Sequence, residues 1–150
     1  MKIVSGGQTG VDRAALDNAL KHAISCGGWC PAGRLDEFGR IPSRYPVCEL
    51  PAGGPAERTL QNVIDSDGTV IMYPGRLWGG TEYTLQCCVD HNKPHLLIDA
   101  TTTPSKIAAT LIQQFVRQEN IETLNVAGPR QSEWGEGYDY CFATMEKFLQ

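Results

Sequence analysis

No run of apolar residues in this chain is long enough to span a bilayer, and no excess of positive charge is available to grip a polyanion. Across 150 residues, 13 Lys and Arg face 17 Asp and Glu, a formal net charge of −4 with the two signs interspersed. That balance excludes a general electrostatic hold on DNA, RNA or an anionic membrane, and directs attention to a small ligand. Low-complexity stretches and blocks of like charge are also missing, so no disordered tail is expected. Met1 to Ser5 passes straight into a glycine loop without the apolar stretch of a signal peptide, which predicts a cytoplasmic protein.

What is present suits one globular domain over residues 1–150: 41% hydrophobic and 20% charged residues, enough for a single core. The six cysteines are read as thiols, since a cytosolic chain of this size needs no disulfide framework. His22, Cys26 and Cys30 are spaced to share a helix face, but Gly27 and Gly28 should end any helix first, and no metal site is expected.

Apolar strands alternate with helical periodicity along most of the chain. Lys2 to Ser5 reads as a strand and Val11 to His22 as a helix. Residues 27–55, rich in glycine and proline, read as a long loop with one short strand near Trp29. A helix opening at Pro55 runs through Ile64, followed by a strand over Gly68 to Tyr73 and a helix over about Thr81 to His91. His95 to Asp99 is a further strand, Pro104 to Gln118 a helix, Thr123 to Ala127 a strand and Gly137 to Leu149 a closing helix. Strands without in-and-out alternation, each followed by a helix, indicate a doubly wound, Rossmann-like parallel sheet with helices on both faces. Ligands in such sheets sit beyond the carboxyl ends of the strands, where strand order reverses.

Three loops fall at such ends. Gly6, Gly7, Gln8, Thr9 and Gly10, with Asp12 just inside the helix, have the flexibility and helix-terminal amides of a phosphate cradle. The loop is neither Gly-x-Gly-x-x-Gly nor a Gly-Lys-Ser/Thr loop, which weakens dinucleotide and triphosphate readings. Gly79, Gly80 and Thr81 repeat the design, with Trp78 available to stack on a flat ring. Arg130 follows Gly128-Pro129 at the last strand. On the second helix Arg58 and Asn62 share a face, with Asp65 about a turn beyond and Asp67 at the helix end; Arg58 could reach a phosphate and the aspartates ribose hydroxyls. Arg34, Arg40 and Arg44, in the long loop with Tyr45, are further cations able to close over an anion.

Taken together, Ser5-Gly-Gly-Gln-Thr-Gly-Val-Asp-Arg13, Gly27-Gly-Trp-Cys-Pro31, Gly33-Arg34, Ile41 to Pro46, Arg58 to Asp67, Gly79-Gly-Thr81 and Asn125-Val-Ala-Gly-Pro-Arg130 carry a resemblance. The chain resembles the family named "putative molybdenum carrier", a YpsA- and LOG-like branch of the Rossmann-like SLOG superfamily. The resemblance spans nearly the whole chain. It implies a phosphate-bearing ligand: molybdenum cofactor, which is a phosphorylated pterin, or a nucleotide or ADP-ribose-like signal that the protein carries, senses or sequesters.

The related LOG phosphoribohydrolases pair a helix arginine with a glutamate in a Pro-Gly-Gly-x-Gly-Thr-x-x-Glu loop to cleave a base from a ribotide. Arg58 matches the arginine, and would be catalytic with Glu82 if the chain were such an enzyme. The acid's position, however, is occupied by Thr84, and Glu82 two residues earlier points about 200° away on a helix. A binding protein is therefore the leading expectation and nucleoside monophosphate hydrolysis the alternative. The helices near Leu85 and Leu111 leave apolar surface for a homodimer or higher homo-oligomer.

Overall fold

A computed structural model describes all residues, 1–150. Five parallel strands build the central sheet: β1 (Lys2–Val4), β2 (Ser25–Gly27), β7 (Gly68–Tyr73), β8 (His95–Asp99) and β9 (Thr123–Ala127). Their spatial order is β2-β1-β9-β7-β8. β9 lies in the middle, pairing with β1 on one side and β7 on the other. Every pairing within the sheet is parallel, in keeping with the apolar runs of β7 and β8.

Helices α1 (Val11–Lys21), α4 (Ser105–Gln118) and α5 (Gly137–Leu149) pack together on one face, α1 and α4 each against α5. α2 (Pro55–Asp65) and α3 (Gly79–Asp90) pair on the other. The main core lies under α1, α4 and α5, where Ile3, Val70, Met72, Leu124 and Val126 from the strands meet Ala14, Ala15, Ile112 and Met145. A smaller cluster of Leu16, Cys30, Ile41, Tyr45 and Val47 holds the long middle segment onto α1.

Transferring the β9–α5 unit from the end of the chain to its beginning would renumber the sheet 3-2-1-4-5, the order of a dinucleotide-binding sheet. Strand order then reverses between β9 and β7, so the crevice opens above those two strands.

Three details depart from the sequence expectation. β2 is an unexpected strand; Ser-Cys-Gly has no apolar pattern, and its pairing with Lys2 to Val4 is what makes it one. The middle loop contains a parallel pair, β3 (Trp29–Cys30) with β6 (Cys48–Glu49), and a hairpin of β4 (Leu35–Asp36) and β5 (Gly39–Arg40). Cys26 in β2 and Cys30 in β3 thus share no helix face with His22, and no group of His, Cys, Asp and Glu is arranged to hold a metal ion. α3 starts at Gly79, two residues early, which places both glycines in its first turn. No helix is long and apolar enough to cross a membrane. Leu85 and Leu111 are both half-buried.

Candidate functional site

A cavity of about 430 Å³ opens at the predicted reversal. Pro55, Ala56, Arg58 and Thr59 of α2 form one wall, and Gly79 to Thr81, Tyr83 and Thr84 of α3 form another. Ala127 and Gly128 at the end of β9 lie beneath; Gln8, Asp12, Arg130 and Glu133 complete the lining. Neither cysteine nor histidine lines it.

The deepest charges are a pair. Asp12 enters from the first turn of α1, and its Oδ2 accepts the Gln8 amide at 3.4 Å and faces Arg58 Nη1 at 3.4 Å. Burial pushes the Asp12 carboxyl up to about 6, although Arg58, the Gln8 and Gly6 amides and Arg13 all pull the other way. Arg58 lies across Gly6 so closely that any Cβ there would collide with its guanidinium. Its Nε is buried without a partner, an unsatisfied donor beside the cavity.

The first glycine loop turns its polar groups inward. The Gly7 amide donates to Ser5 Oγ, the Gln8 amide to Asp12, and the Thr9 amide to Oε1 of Gln8. Gly10, at φ +79°, fits against the carbonyl of Pro129. Gly7, Thr9 and Gly10 accordingly lie outside the cavity lining, and Gly6 borders only a small recess with Arg58, Asn62 and Asn125.

The second loop is the open one. Gly79, Gly80 and Thr81 present the amides of a helix's first turn, which have no intrahelical acceptor, to the cavity. Thr84 lines the same wall, with its hydroxyl donated back to the Gly80 carbonyl at 2.9 Å. Glu82 is exposed and lies outside the lining.

Asn62 and Asp65 hold the chain rather than the cavity. The Asn62 amide brackets the Trp29 backbone, accepting its N–H at 2.8 Å and donating to its carbonyl at 2.9 Å. Asp65 accepts the Trp29 indole N–H at 2.7 Å. Asp67 accepts the Glu122 and Thr123 amides at the start of β9. Arg34 donates to the carbonyls of Ile41, Pro42, Tyr45 and Val47, stapling the middle segment, while Arg44 stacks on Tyr45 and Arg40 is exposed.

Two residues beyond the sequence reading belong to the site region. Tyr83, not Trp78, is the aromatic lining the cavity; the Trp78 indole instead donates to Glu133 at 3.0 Å. Its signal was its place one turn into the glycine-started helix. Glu37, from the middle segment, accepts the Thr9 hydroxyl at 2.6 Å and meets Arg130 at 3.3 Å. No local pattern announces Glu37, because both partners are remote in sequence.

The permuted strand order and this arrangement of loops recur in known proteins. The model of the circularly permutated YpsA SLOG family matches residues 3–149. The chain belongs to that family. The family description agrees with the sheet, in which the last βα unit occupies the place of the first. Among solved structures, this family member is similar to the "Putative molybdenum carrier protein" from Syntrophus aciditrophicus SB, at 46% identity and a TM-score of 0.97, over 99% of this chain and 94% of that one. No curated protein matches.

Proposed function

We propose that this YpsA-family protein binds a small phosphorylated ligand with a flat ring, nucleotide-like or pterin-like, as a carrier or sensor and without bond-breaking chemistry. The observation that carries this reading is the convergence of the buried, underused guanidinium of Arg58 with the open first turn of α3 on one cavity. A phosphate there accepts the Gly80 and Thr81 amides and charge-assisted bonds from Arg58. Tyr83 on α3, with Pro55 and Ala56 opposite, offers the flat ring an apolar slot.

The relative's name speaks of molybdenum. A lining without thiol or imidazole offers no soft ligand to a metal centre, whereas guanidinium and amide donors suit an oxyanion or the phosphate of a pterin cofactor. Molybdenum cargo would therefore be held through its oxygens or through a phosphate.

Hydrolysis of an N-glycosidic bond finds less support. Thr84 occupies the wall where an acid is needed and Glu82 faces solvent. Asp12, the deep carboxylate, is already engaged by Arg58 and the Gln8 amide.

Native mass spectrometry of freshly purified protein, followed by denaturing release, tests the reading. Co-purification of a phosphorylated pterin supports a carrier, and a nucleotide or ADP-ribose derivative supports a sensor. Release of free base from nucleoside monophosphates, abolished by Arg58→Ala, would overturn the claim that no bond is broken. Absence of thermal stabilisation by any nucleotide, ADP-ribose derivative or pterin at millimolar concentration would overturn binding itself.

A further inference from the structure

Glu37 occupies the turn of the β4–β5 hairpin, yet its carboxylate is held as a bound anion would be. Oε1 accepts the Thr9 hydroxyl at 2.6 Å and the Ser132 amide at 3.0 Å. Oε2 accepts the Ser132 hydroxyl at 2.5 Å and faces Arg130 Nε at 3.3 Å. The donors come from two loops, one after β1 and one after β9, at the same end of adjacent strands. Burial alone would raise this carboxyl; the Ser132 and Thr9 hydroxyls, the Ser132 amide and Arg130 outweigh it and hold the group below the ordinary carboxylate range.

The hairpin that delivers Glu37 is short and mostly solvent-facing. Each of its strands has two residues. Leu35 and Phe38 are 54% and 73% exposed, so the hairpin buries little apolar surface in exchange for being fixed. Beside the turn the backbone has its own anchors: Asp36 meets Arg13 at 2.6 Å and the Glu37 N–H donates to Gln8 Oε1 at 2.9 Å. The Glu37 contacts can therefore be exchanged without unfolding the segment.

Arg130 belongs to both places, since it faces Glu37 and lines the cavity. A phosphate group makes the same demands on hydroxyl, amide and guanidinium donors as a carboxylate, with a larger charge. Replacing one anion by another on these donors strands no buried polar group.

We infer that Thr9, Arg130 and Ser132 form a second anion subsite, for which Glu37 competes with the second of two linked anionic groups on the ligand, as in a diphosphate ester. This rests on the reading of Arg58 and the first turn of α3 as the first subsite. Entry of the second group releases the Glu37 carboxylate and loosens the hairpin turn, which stays tethered through Asp36, so ligand occupancy is displayed on the surface by residues 35–40.

Two inorganic probes, phosphate and pyrophosphate, test this in titration calorimetry on the full chain at one pH and ionic strength. Glu37→Gln and Glu37→Ala, each verified by circular dichroism, are expected to bind pyrophosphate about tenfold tighter than wild type, or to take up a second equivalent of phosphate. Backbone hydrogen exchange over residues 35–40 is expected to rise when pyrophosphate saturates the wild type. Wild-type pyrophosphate affinity together with wild-type phosphate stoichiometry in both variants overturns the inference. Arg58→Ala keeps the two readings apart. If it leaves wild-type phosphate binding intact while the Glu37 variants still show their gain, the first subsite fails and the second stands.

Discussion

Arg58 Nη1 lies 3.4 Å from Asp12 Oδ2, with the two side chains only 13% and 4% exposed. The arginine assigned to a ligand phosphate thus already faces a negative charge, one raised by burial to about 6. Ligand and Asp12 share one guanidinium, and the balance between them sets both affinity and stability.

The stability consequence has a definite sign. In the unfolded chain Asp12 titrates at its ordinary 3.8, and in the native state at about 6. The native state holds the proton more tightly, so this contribution to stability is fully present below the unfolded value and is lost as pH rises through about 6. Asp12→Asn does not ionise. Its unfolding free energy relative to wild type should therefore improve by about 2 kcal/mol between about pH 4 and about pH 7.5 in urea titrations. A pH-independent difference would mean that Arg58 fully offsets the buried charge.

Arg58→Ala should weaken binding of inorganic phosphate by about tenfold to a hundredfold, the worth of a charge-assisted bond. Because it also leaves Asp12 buried beside one cation fewer, it should lower stability near neutral pH. Adding Asp12→Asn should restore the stability but not the binding. Calorimetry and thermal melts on the single and double variants separate the two roles.

Two glycines predict opposite outcomes. Alanine at Gly6 meets only the movable end of Arg58, so Gly6→Ala should shift that side chain and impair phosphate binding at little cost in melting temperature. Gly28, at φ +123°, packs against the backbone of Ser5, which cannot yield. Gly28→Ala should lose about 2 kcal/mol or more of stability.

Tyr83→Ala should weaken binding of adenosine monophosphate about tenfold, the loss of one ring-stacking surface, while leaving inorganic phosphate binding within twofold of wild type. Equal losses for both probes would place Tyr83 in the phosphate subsite instead.

Because the sheet reads 3-2-1-4-5 once β9–α5 is moved forward, a permutant joining Gln150 to Met1 through a short glycine-serine linker and opening at Asn120 should fold. The cut falls in the turn between α4 and β9, and the join supplies the β9–α5–β1 crossover that the present order lacks. Circular dichroism should match the wild type, and anion binding should survive.

The sequence made most of the frame legible because β7, β8 and β9 are short, mostly apolar runs and α2 and α4 are clearly amphipathic. β2 was invisible since Ser25, Cys26 and Gly27 form an edge strand through backbone pairing, with only Cys26 packing on the core. Within the site, Arg58 and Gly79 to Thr81 were readable as local patterns. Thr9 and Gly10 illustrate the limit: a glycine-rich strand-to-helix turn has one signature whether its amides face a ligand or its own Gln8 and Asp12 side chains. Which way they face depends on Pro129 and Glu37, contacts that no window along the chain contains.

The central place of β9 also orders events in time. During synthesis β1 with β2, and β7 with β8, can pair as separate halves, but no strand-to-strand hydrogen bond joins one half to the other except through β9. The strand that closes the sheet is the last of the five to leave the ribosome, so the nascent chain carries two open sheet edges until β9 has emerged. A permuted order that leaves the finished architecture intact thus turns assembly into a late, single closing step, with the ligand cavity completed in the same event.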